Sequence, residues 1–465
     1  MSVVDAAGRA FTSEAPVLIV GAGAAGLCAA LAAHEAGAEC VVLERDAVPH
    51  GSTALSAGLI PAAGTRFQRE CGVVDKPSLF ARDILHKAKD EPPREMVDLV
   101  AQGAAPLIEW LADTYGLCFS VVDDFDYPGH SVRRMHGLPS RSGAELLDRL
   151  RRAVEHVDVP ILTSATATTL FAEANGRVRG VALERPNGSS EAIACKALVL
   201  ACSGFGANRE LVARHIPEMA NATYFGHAGN RGDAVAWGEK LGAKLAFMSG
   251  FQGHGSVAHP HGILITWAVI TEGGFQVDAQ GRRFANEGSG YSEQAEAVLG
   301  NVQGTAFDIF DERIAGIARQ FEDFRNAEAA GAVISAATIR ELATRLALPH
   351  SGLARTFEQV SAMKRGLIGD PLGRSFSGSP ELTAPFKAVK VTGALFHTQG
   401  GLVVNREARV LKVDGSPLPN LLAAGGAAAG VSGSTAAGYL SGNGLLTATV
   451  LGRRAGQQAA RLQRV

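Results

Sequence analysis

Residues 17–26 read Val-Leu-Ile-Val-Gly-Ala-Gly-Ala-Ala-Gly, an apolar run that leads directly into a G-x-G-x-x-G turn. The next residues, Leu27–Ala36, are mostly apolar and rich in alanine, which is typical of a buried helix. A second apolar run, Val-Val-Leu at 41–43, ends at Glu44. A strand, a glycine-rich turn, a helix and a second strand that ends in an acid form the pattern of a dinucleotide-binding βαβ unit.

Each residue type in this motif has a physical reason. Gly21 permits the tight turn, Gly23 lets the backbone approach a pyrophosphate, and Gly26 allows close packing of helix on strand. Glu44 can accept hydrogen bonds from ribose hydroxyls. The alternative is a glycine-rich turn without a ligand, and the acid at the expected distance argues against it. We predict further cofactor contacts from Ala24, Ala25 and Arg45.

The loop at 51–58, Gly-Ser-Thr-Ala-Leu-Ser-Ala-Gly, indicates which dinucleotide is bound. An NAD enzyme has no need of small residues, hydroxyls and free N–H groups just after the second strand. An FAD enzyme does, because its isoalloxazine ring lies flat against backbone donors and small side chains. We therefore predict FAD as the cofactor, with contacts from Ser52, Thr53, Ala54, Ser56, Ala57 and Gly58.

At this loop the sequence resembles the fumarate reductase/succinate dehydrogenase flavoprotein family. Three further motifs follow in the family's order, at Leu200–Asn208, Phe396–Leu402 and Ser441–Leu446. The resemblance implies a final helix that begins near Gly444 and points its N-terminus at the flavin, where it would stabilise negative charge on the reduced ring. Family members with a histidyl–flavin bond carry His just before the loop threonine, so Ser52 there predicts non-covalent FAD. Further FAD contacts are expected from Ala201, Cys202, Ser203, Gly204, Gly425, Gly426, Gly444 and Leu445.

The expected fold is α/β, with a discontinuous Rossmann-like FAD-binding domain and an inserted α+β capping domain. Residues 1–250 and 398–465 would form the first domain, and residues 251–397 would cap the flavin and bind the substrate. Sequence patterns predict helices at Arg94–Gln102, Pro106–Asp113 and Gly143–His156, and strands at Val178–Glu184 and Lys196–Ala201. In the cap they predict a strand at Gly262–Val269 and a hairpin from Gly274–Asp278 to Arg283-Phe284.

Composition excludes several classes of partner. The 465 residues are 46% hydrophobic with a net charge of −2, which gives no electrostatic case for nucleic acid or an acidic membrane. We expect a cytoplasmic protein, because Met1–Pro16 lacks a secretory pattern and no apolar run approaches the roughly 20 residues of a spanning helix. The six cysteines include no C-x-x-C, so we expect no iron–sulfur cluster, c-type haem or other metal site. Electrons would pass to a diffusible acceptor or an unidentified partner, and the oligomeric state stays open.

The family's fumarate-reducing members use one arginine as proton donor and a second as a clamp on the substrate carboxylate. Tyr291 and Tyr439 occupy the matching positions in this chain. The resemblance further implies a substrate-binding pair at Thr271-Glu272 and a substrate-binding histidine at His397. A second histidine fits at either His254 or His259.

Two tyrosines are similar to the catalytic pair of the 3-ketosteroid dehydrogenases, which share the fold. That similarity implies Tyr291 as general base, or acid in reduction, and Tyr439 as hydrogen-bond donor to a ketone. A backbone N–H near Gly442–Gly444 would assist, and Tyr127 is a further candidate. We therefore predict α,β-desaturation of a neutral, cyclic ketone, or the reverse enone reduction, as the reaction on a small-molecule substrate.

Three alternatives remain. The tyrosines can be core residues with satisfied hydroxyls. The enzyme can act on an unsaturated carboxylic acid, with a contact from Arg134, Arg141 or Arg283. The chain can also bind flavin without catalysis, although the retained Thr271-Glu272 and His397 argue against this.

Overall fold

The computed structural model describes residues 1–123 and 126–464. The strands are β1 Ser2–Asp5, β2 Ser13–Val20, β3 Cys40–Leu43, β4 Ile60–Pro61, β5 Ser120–Val121, β6 Met135–Gly137, β7 Ile161–Leu162, β8 Thr166–Ala172, β9 Val178–Glu184, β10 Ser190–Leu200, β11 Thr223–Tyr224, β12 Leu245–Ala246, β13 Phe251–Ala258, β14 Ile263–Leu264, β15 Phe275–Val277, β16 Thr305–Asp311, β17 Val333–Ala336, β18 Phe386–Thr398, β19 Gly401–Leu402, β20 Arg409–Leu411 and β21 Pro417–Ala423. The helices are α1 Ala24–Glu35, α2 Gly51–Ala54, α3 Arg66–Glu70, α4 Pro77–Lys87, α5 Arg94–Tyr115, α6 Gly143–His156, α7 Arg209–His215, α8 Asp233–Lys240, α9 Ala268–Thr271, α10 Tyr291–Leu299, α11 Glu312–Ala318, α12 Glu322–Ala329, α13 Ile339–Arg345, α14 His350–Lys364 and α15 Asn443–Leu462.

The first sheet has nine strands in the order β1-β8-β9-β10-β2-β3-β7, with β21 beside β10 and β20 beside β21. Its central strands β10, β2, β3 and β7 are parallel. Val20 is paired with both Leu43 and Leu200, so these strands end at one edge of the sheet. In a parallel sheet such a carboxyl edge is where ligands bind.

Helix α15 returns to this sheet and packs directly on α1. A Cβ atom on Gly452 would lie 2.3 Å from the Ala25 carbonyl oxygen, and one on Gly456 would lie 2.1 Å from that of Ala29. Glycine at both positions therefore lets the two helix backbones touch. The two helices therefore run side by side in the same direction, and the first turns of α15, which begins at Asn443, extend past the N-terminus of α1.

The second sheet has seven strands in the order β14-β13-β18-β16-β15, with β11 and β17 also paired to β18. Its main pairings are antiparallel, and it has its own apolar core, which includes Trp267, Phe275 and Phe310. The predicted α/β fold, with a Rossmann-like sheet and an additional capping sheet, is confirmed. The exact domain boundaries stay a prediction.

Three predicted elements differ from the structure. Pro106 does not divide the predicted helices, because the single helix α5 continues through it while burying an apolar face against α4 and α15. The run Gly262–Val269 is a strand only at Ile263–Leu264 and enters α9 at its end. The predicted turn after Asp278 exists, but Phe275–Val277 pairs with β16 rather than with a returning Arg283-Phe284.

Within residues 1–123 and 126–464, no helix has the length and apolar character needed to cross a membrane. The same residues contain no group of three or more His, Cys, Asp or Glu side chains placed to hold a metal ion.

Candidate active site

One cleft runs from the carboxyl edge of the first sheet to the second sheet. All the predicted FAD contacts line it except Gly26 and Gly204, which lie behind its wall. Of the predicted substrate-site residues, those that line the cleft are Tyr127, His254, Tyr291, His397, Tyr439 and Gly442. His259, Thr271 and Glu272 do not.

The glycine-rich turn fits a close approach of backbone to pyrophosphate. Gly21 has φ +109°, and a Cβ on it would lie 2.4 Å from the Ala201 carbonyl oxygen. A Cβ on Gly26 would lie 1.8 Å from the Gly21 carbonyl oxygen, so this glycine serves the turn without touching the cleft. The first N–H of α1, that of Ala24, donates to Thr53 Oγ1 at 3.1 Å. The N-cap residue Gly23 has no side chain to accept from the N–H groups that follow, which leaves these for an anion.

Glu44 is held at the edge of the sheet by backbone donors. Its Oε2 accepts from the Ala22 N–H at 2.9 Å and its Oε1 from the Asp46 N–H at 3.0 Å. Each oxygen keeps a lone pair for a ribose hydroxyl. The neighbouring Arg45 is paired with Asp233 at 2.5 Å, and both residues line the cleft.

Hydrogen bonds hold the small-residue loop at 51–58 in place. Ser56 Oγ donates to the Thr53 carbonyl at 2.7 Å and accepts from the Gly58 N–H at 3.1 Å. Ser52 Oγ accepts from the His227 N–H at 3.1 Å and the Asn230 side-chain amide at 2.7 Å. His227 and Asn230 also line the cleft, and no local motif announces them.

The C-terminal region forms a further part of the cleft wall. Helix α15 begins at Asn443, beside the predicted Gly444, and has no side-chain cap. Its Gly444 N–H donates to the Tyr439 hydroxyl at 3.3 Å. Cys202 lies in the opposite wall, where burial raises the pKa of its thiol to about 12 and keeps it protonated. The turn, the acid, the loop and the open helix ends together fit FAD.

Tyr291 and Tyr439 meet at the far end of the cleft. Tyr291 is the first residue of α10 and Tyr439 lies shortly before α15; their ring centroids are 6.2 Å apart, with an interplanar angle of 61°. Burial raises the pKa of Tyr291 well above its usual value and that of Tyr439 to about 12. Both phenols are therefore protonated at neutral pH.

Of the two candidate histidines, His254 faces the cleft and His259 is exposed to solvent at the end of β13. The His254 ring stacks on Tyr291 with centroids 4.8 Å apart. Its Nδ1 accepts from the Ser256 N–H at 3.1 Å, so Nε2 carries the proton. Burial lowers the pKa of His254 to about 3, which keeps the ring neutral.

His397 is neutral for the same reason. It lies near the end of β18, and burial lowers its pKa to about 4. The Gln399 side-chain amide lies 2.9 Å from Nδ1 and donates to it, so Nε2 again carries the proton.

The predicted pair Thr271-Glu272 lies outside the cleft. Thr271 Oγ1 donates to the Trp267 carbonyl at 3.4 Å, and Glu272 is paired with Arg313 at 3.4 Å. Because α9 is a single helical turn, the residues that reach the cleft are the ones that precede it, Thr266 and Trp267. In the sequence, Thr266-Trp267 is another threonine followed by a large side chain, five positions before Thr271-Glu272. That second pair was the available signal.

Aromatic side chains form one wall near the tyrosines. The rings of Phe225 and Phe396 are stacked with centroids 4.6 Å apart, and Phe396 lies 5.4 Å from His254. Trp267 packs edge-on to His254 at 5.5 Å. Sequence reasoning did not find this wall, which suits a flat, apolar substrate.

The arginines proposed for a carboxylate substrate have different surroundings. Arg134 is fully buried and paired with Asp75 and Asp83. Arg283 is paired with Glu287 at 2.6 Å and with Asp370 at 2.9 Å, and does not line the cleft. Arg141 does line the cleft, where it donates to the Gln320 side chain at 2.6 Å.

Comparison with known proteins agrees with this architecture. Over 460 residues the chain is 29% identical to "Probable fumarate reductase Ifc3" of Shewanella frigidimarina. The aligned region covers 98% of this chain and 76% of the relative. Other curated relatives are named for the reduction of fumarate, urocanate or acrylate.

Two solved structures are similar over almost the whole chain. An open flavocytochrome c3 fumarate reductase gives a TM-score of 0.82 at 28% identity, over 98% of this chain and 80% of the other. A 3-ketosteroid-Δ4-(5α)-dehydrogenase of Rhodococcus jostii gives 0.76 at 26% identity, over 99% and 100%. A family model described as "FAD binding domain" matches residues 16–445. The chain therefore belongs to the FAD-binding-domain family of flavoproteins.

Proposed function

We propose that this flavoprotein is an oxidoreductase of CH–CH bonds that reduces a neutral, cyclic α,β-unsaturated ketone and can run the reverse desaturation. The observation that carries the proposal is the pair Tyr291 and Tyr439, which face each other at the end of the FAD cleft. When bound and reduced, FAD supplies the hydride for such a reaction.

The charge of the site favours a neutral substrate. Guanidinium groups are built for bidentate pairing with carboxylates, whereas a protonated phenol carries no charge to offset one. His254 and His397 add N–H donors but no charge, because burial lowers the pKa of both rings. These four side chains suit a carbonyl oxygen better than a dicarboxylate.

Tyr439 is placed to polarise a carbonyl. Its oxygen already accepts the Gly444 N–H at the N-terminus of α15, so its own O–H remains to donate to the substrate. A donor aimed at the carbonyl oxygen stabilises the enolate-like charge that develops when a hydride reaches the β-carbon.

Tyr291 would then deliver a proton to the α-carbon. Its raised pKa keeps the phenol protonated at neutral pH, the state that reduction needs. In desaturation the same residue must start as a phenolate, and burial makes that state costly. The protonated phenol is thus the form that the reductive step requires.

We also propose that residues 251–397 act as the cap, since this range carries both Tyr291 and His254. Its pairing with β11, residues Thr223–Tyr224, brings Phe225 to the same wall. Residues 1–250 and 398–465 would hold FAD without a covalent bond.

A second candidate is a reductase of an unsaturated carboxylic acid. The names of the curated relatives favour this candidate over the ketone. Arg141, which lines the cleft, would supply the carboxylate contact.

The experiment is anaerobic reoxidation of the reduced holoenzyme. Dithionite-reduced protein, freed of excess reductant, is mixed with cyclohexenone, fumarate, acrylate or urocanate, and flavin absorbance is followed. Reoxidation by cyclohexenone with formation of cyclohexanone supports the proposal. Reoxidation by the acids alone supports the second candidate, and an enzyme that none of the four reoxidises supports a flavin-binding protein without this chemistry.

A further inference from the structure

Lys87, the last residue of α4, contacts the chain on both sides of Tyr291. Its ammonium group donates to the Ser289 carbonyl at 3.0 Å and forms an ion pair with the Glu293 carboxylate. Ser289 precedes the tyrosine by two residues and Glu293 follows it by two. The start of α10 is thereby held by one cation from another part of the fold.

This ion pair is largely removed from water. The side chains of Lys87 and Glu293 are 15% and 22% exposed. Glu293 Oε2 is buried and has no hydrogen-bond partner, and burial raises the pKa of the carboxyl against the opposing effect of Lys87. Removing either residue leaves a poorly solvated charge next to the tyrosine.

The stem of Lys87 also lies beside Gly129, in the segment that carries Tyr127. A Cβ on Gly129, two residues after Tyr127, would lie 3.6 Å from Lys87 Cδ and 2.7 Å from Leu440 Cδ1. Leu440 directly follows Tyr439, and α4 packs on the turn before it. Lys87 therefore lies close to the segments that carry Tyr291 and Tyr127, and its helix α4 contacts the turn just before Tyr439.

We propose that Lys87 and Glu293 are positioning residues that set the placement of Tyr291 relative to Tyr439. The two phenols come from different sides of the cleft, because α10 packs on β13 and β18 of the second sheet while α15 packs on α1. The ion pair ties α10 to the side that carries Tyr439. The inference rests on the proposed function for its catalytic consequence.

The pair also sets the charge near the phenol. The groups that face Tyr291 are the Tyr439 and Tyr127 phenols, the neutral His254 ring and the Glu293 carboxylate. Lys87→Met leaves the carboxylate unbalanced, which opposes ionisation of the phenol. Glu293→Gln leaves the cation unbalanced, which favours it.

The first test compares these two variants and the double variant as reduced holoenzymes with cyclohexenone. We expect each single change to lower kcat by about 10- to 100-fold with little change in KM, the effect of a misplacement near 1 Å. The alkaline limb of the rate profile should move to higher pH in Lys87→Met and to lower pH in Glu293→Gln. The proposal would be overturned if both variants had rates within about twofold of the parent. It would also be overturned if neither variant shifted the pH at which the rate falls in alkali.

Lys387→Met is the matched control. Lys387 is buried and paired with Glu312 at 3.0 Å, away from the cleft. It should keep the parent's kcat and pH profile.

The second test needs no substrate. Hydrogen–deuterium exchange of the oxidised holoenzymes should be faster across residues 291–299 in both single variants than in the parent and the control, with α15 unchanged. If the exchange differs and the parent reduces no enone, the positioning role stands and the proposed function fails. If the parent reduces enone and the exchange is the same in all proteins, the positioning role fails alone.

Discussion

The rings of Tyr291 and Tyr439 lie edge to face, with their centroids 6.2 Å apart. One begins a helix that packs on the second sheet and the other precedes the helix that packs on α1. Two phenols this close share one compartment of the cleft. We therefore expect both hydroxyls to reach neighbouring atoms of one substrate.

Removing either hydroxyl should lower the rate of enone reduction by about 10²- to 10⁴-fold, the usual effect of losing a positioned acid or an oxyanion donor. The two variants should differ in binding. Tyr439→Phe should weaken binding of a ketone and abolish its effect on the flavin spectrum. Tyr291→Phe should keep binding and lose both reduction and exchange of the α-hydrogen with solvent.

Tyr115→Phe is the control for both variants. Tyr115 packs edge to face on Trp110 with centroids 5.2 Å apart and does not line the cleft. Parent-like rates are expected here. If Tyr291→Phe and Tyr439→Phe also turn over at near-normal rates, the carboxylic-acid candidate takes the lead.

Fumarate should not reoxidise the reduced enzyme, even though curated relatives are named for its reduction. Loss of one buried charge-assisted pair costs about 2–5 kcal/mol. In our alignment Tyr291 stands at the position of the family's proton-donating arginine and Tyr439 at that of its carboxylate-clamping arginine. Stopped-flow absorbance under anaerobic conditions measures this directly. Rapid reoxidation with succinate as product would show that the arginine alignment is wrong.

The FAD should leave the protein completely on denaturation. Ser52, the residue before the loop threonine, accepts two hydrogen bonds and offers no histidine for a covalent link. Acid precipitation should release all the flavin absorbance into the supernatant. Yellow colour that stays with the pellet after washing would indicate a covalent bond elsewhere in the cleft.

The rate of enone reduction should be flat between about pH 5 and 8, the range in which an unperturbed histidine titrates. Burial lowers the pKa of His254 to about 3 and that of His397 to about 4, so both rings stay neutral across that range. The rate should fall only in alkali, where Tyr291 loses the proton that it donates; its raised pKa places that limb above the usual tyrosine value of about 10. Single-turnover reoxidation across pH measures the profile. An inflection near pH 6 would contradict the prediction and would point first to Asp323, which lines the cleft and whose pKa burial raises to about 6.

The residues predicted to contact FAD come together along the cleft because local geometry places most of them. The turn at Gly21 and the acid at Glu44 belong to one βαβ unit, so their spacing alone brings them together. The tyrosines were found for a related reason, since each lies a few residues from a motif with a fixed shape.

Other parts of the site depend on contacts between distant segments. Phe225 reaches the aromatic wall only because β11 pairs with β18, which no local pattern encodes. The prediction that Thr271 and Glu272 line the cleft was wrong. The single turn of α9 places them outside it, and the sequence pattern does not show where that turn begins. Sequence spacing did not distinguish His254 from His259 as the histidine of the cleft. The structure does, because His254 is buried against the cleft and His259 is exposed.

The close seat of α15 on α1 also orders how the molecule is made. During synthesis α1 emerges from the ribosome early. The helix that covers its small-residue face, α15, is formed by residues 443–462 and emerges last. Until these have been synthesised, the glycines that contact the backbone of Ala25 and Ala29 are missing. We therefore expect FAD to bind late in biogenesis, because a nascent chain arrested before residue 443 lacks the helix that completes the cleft.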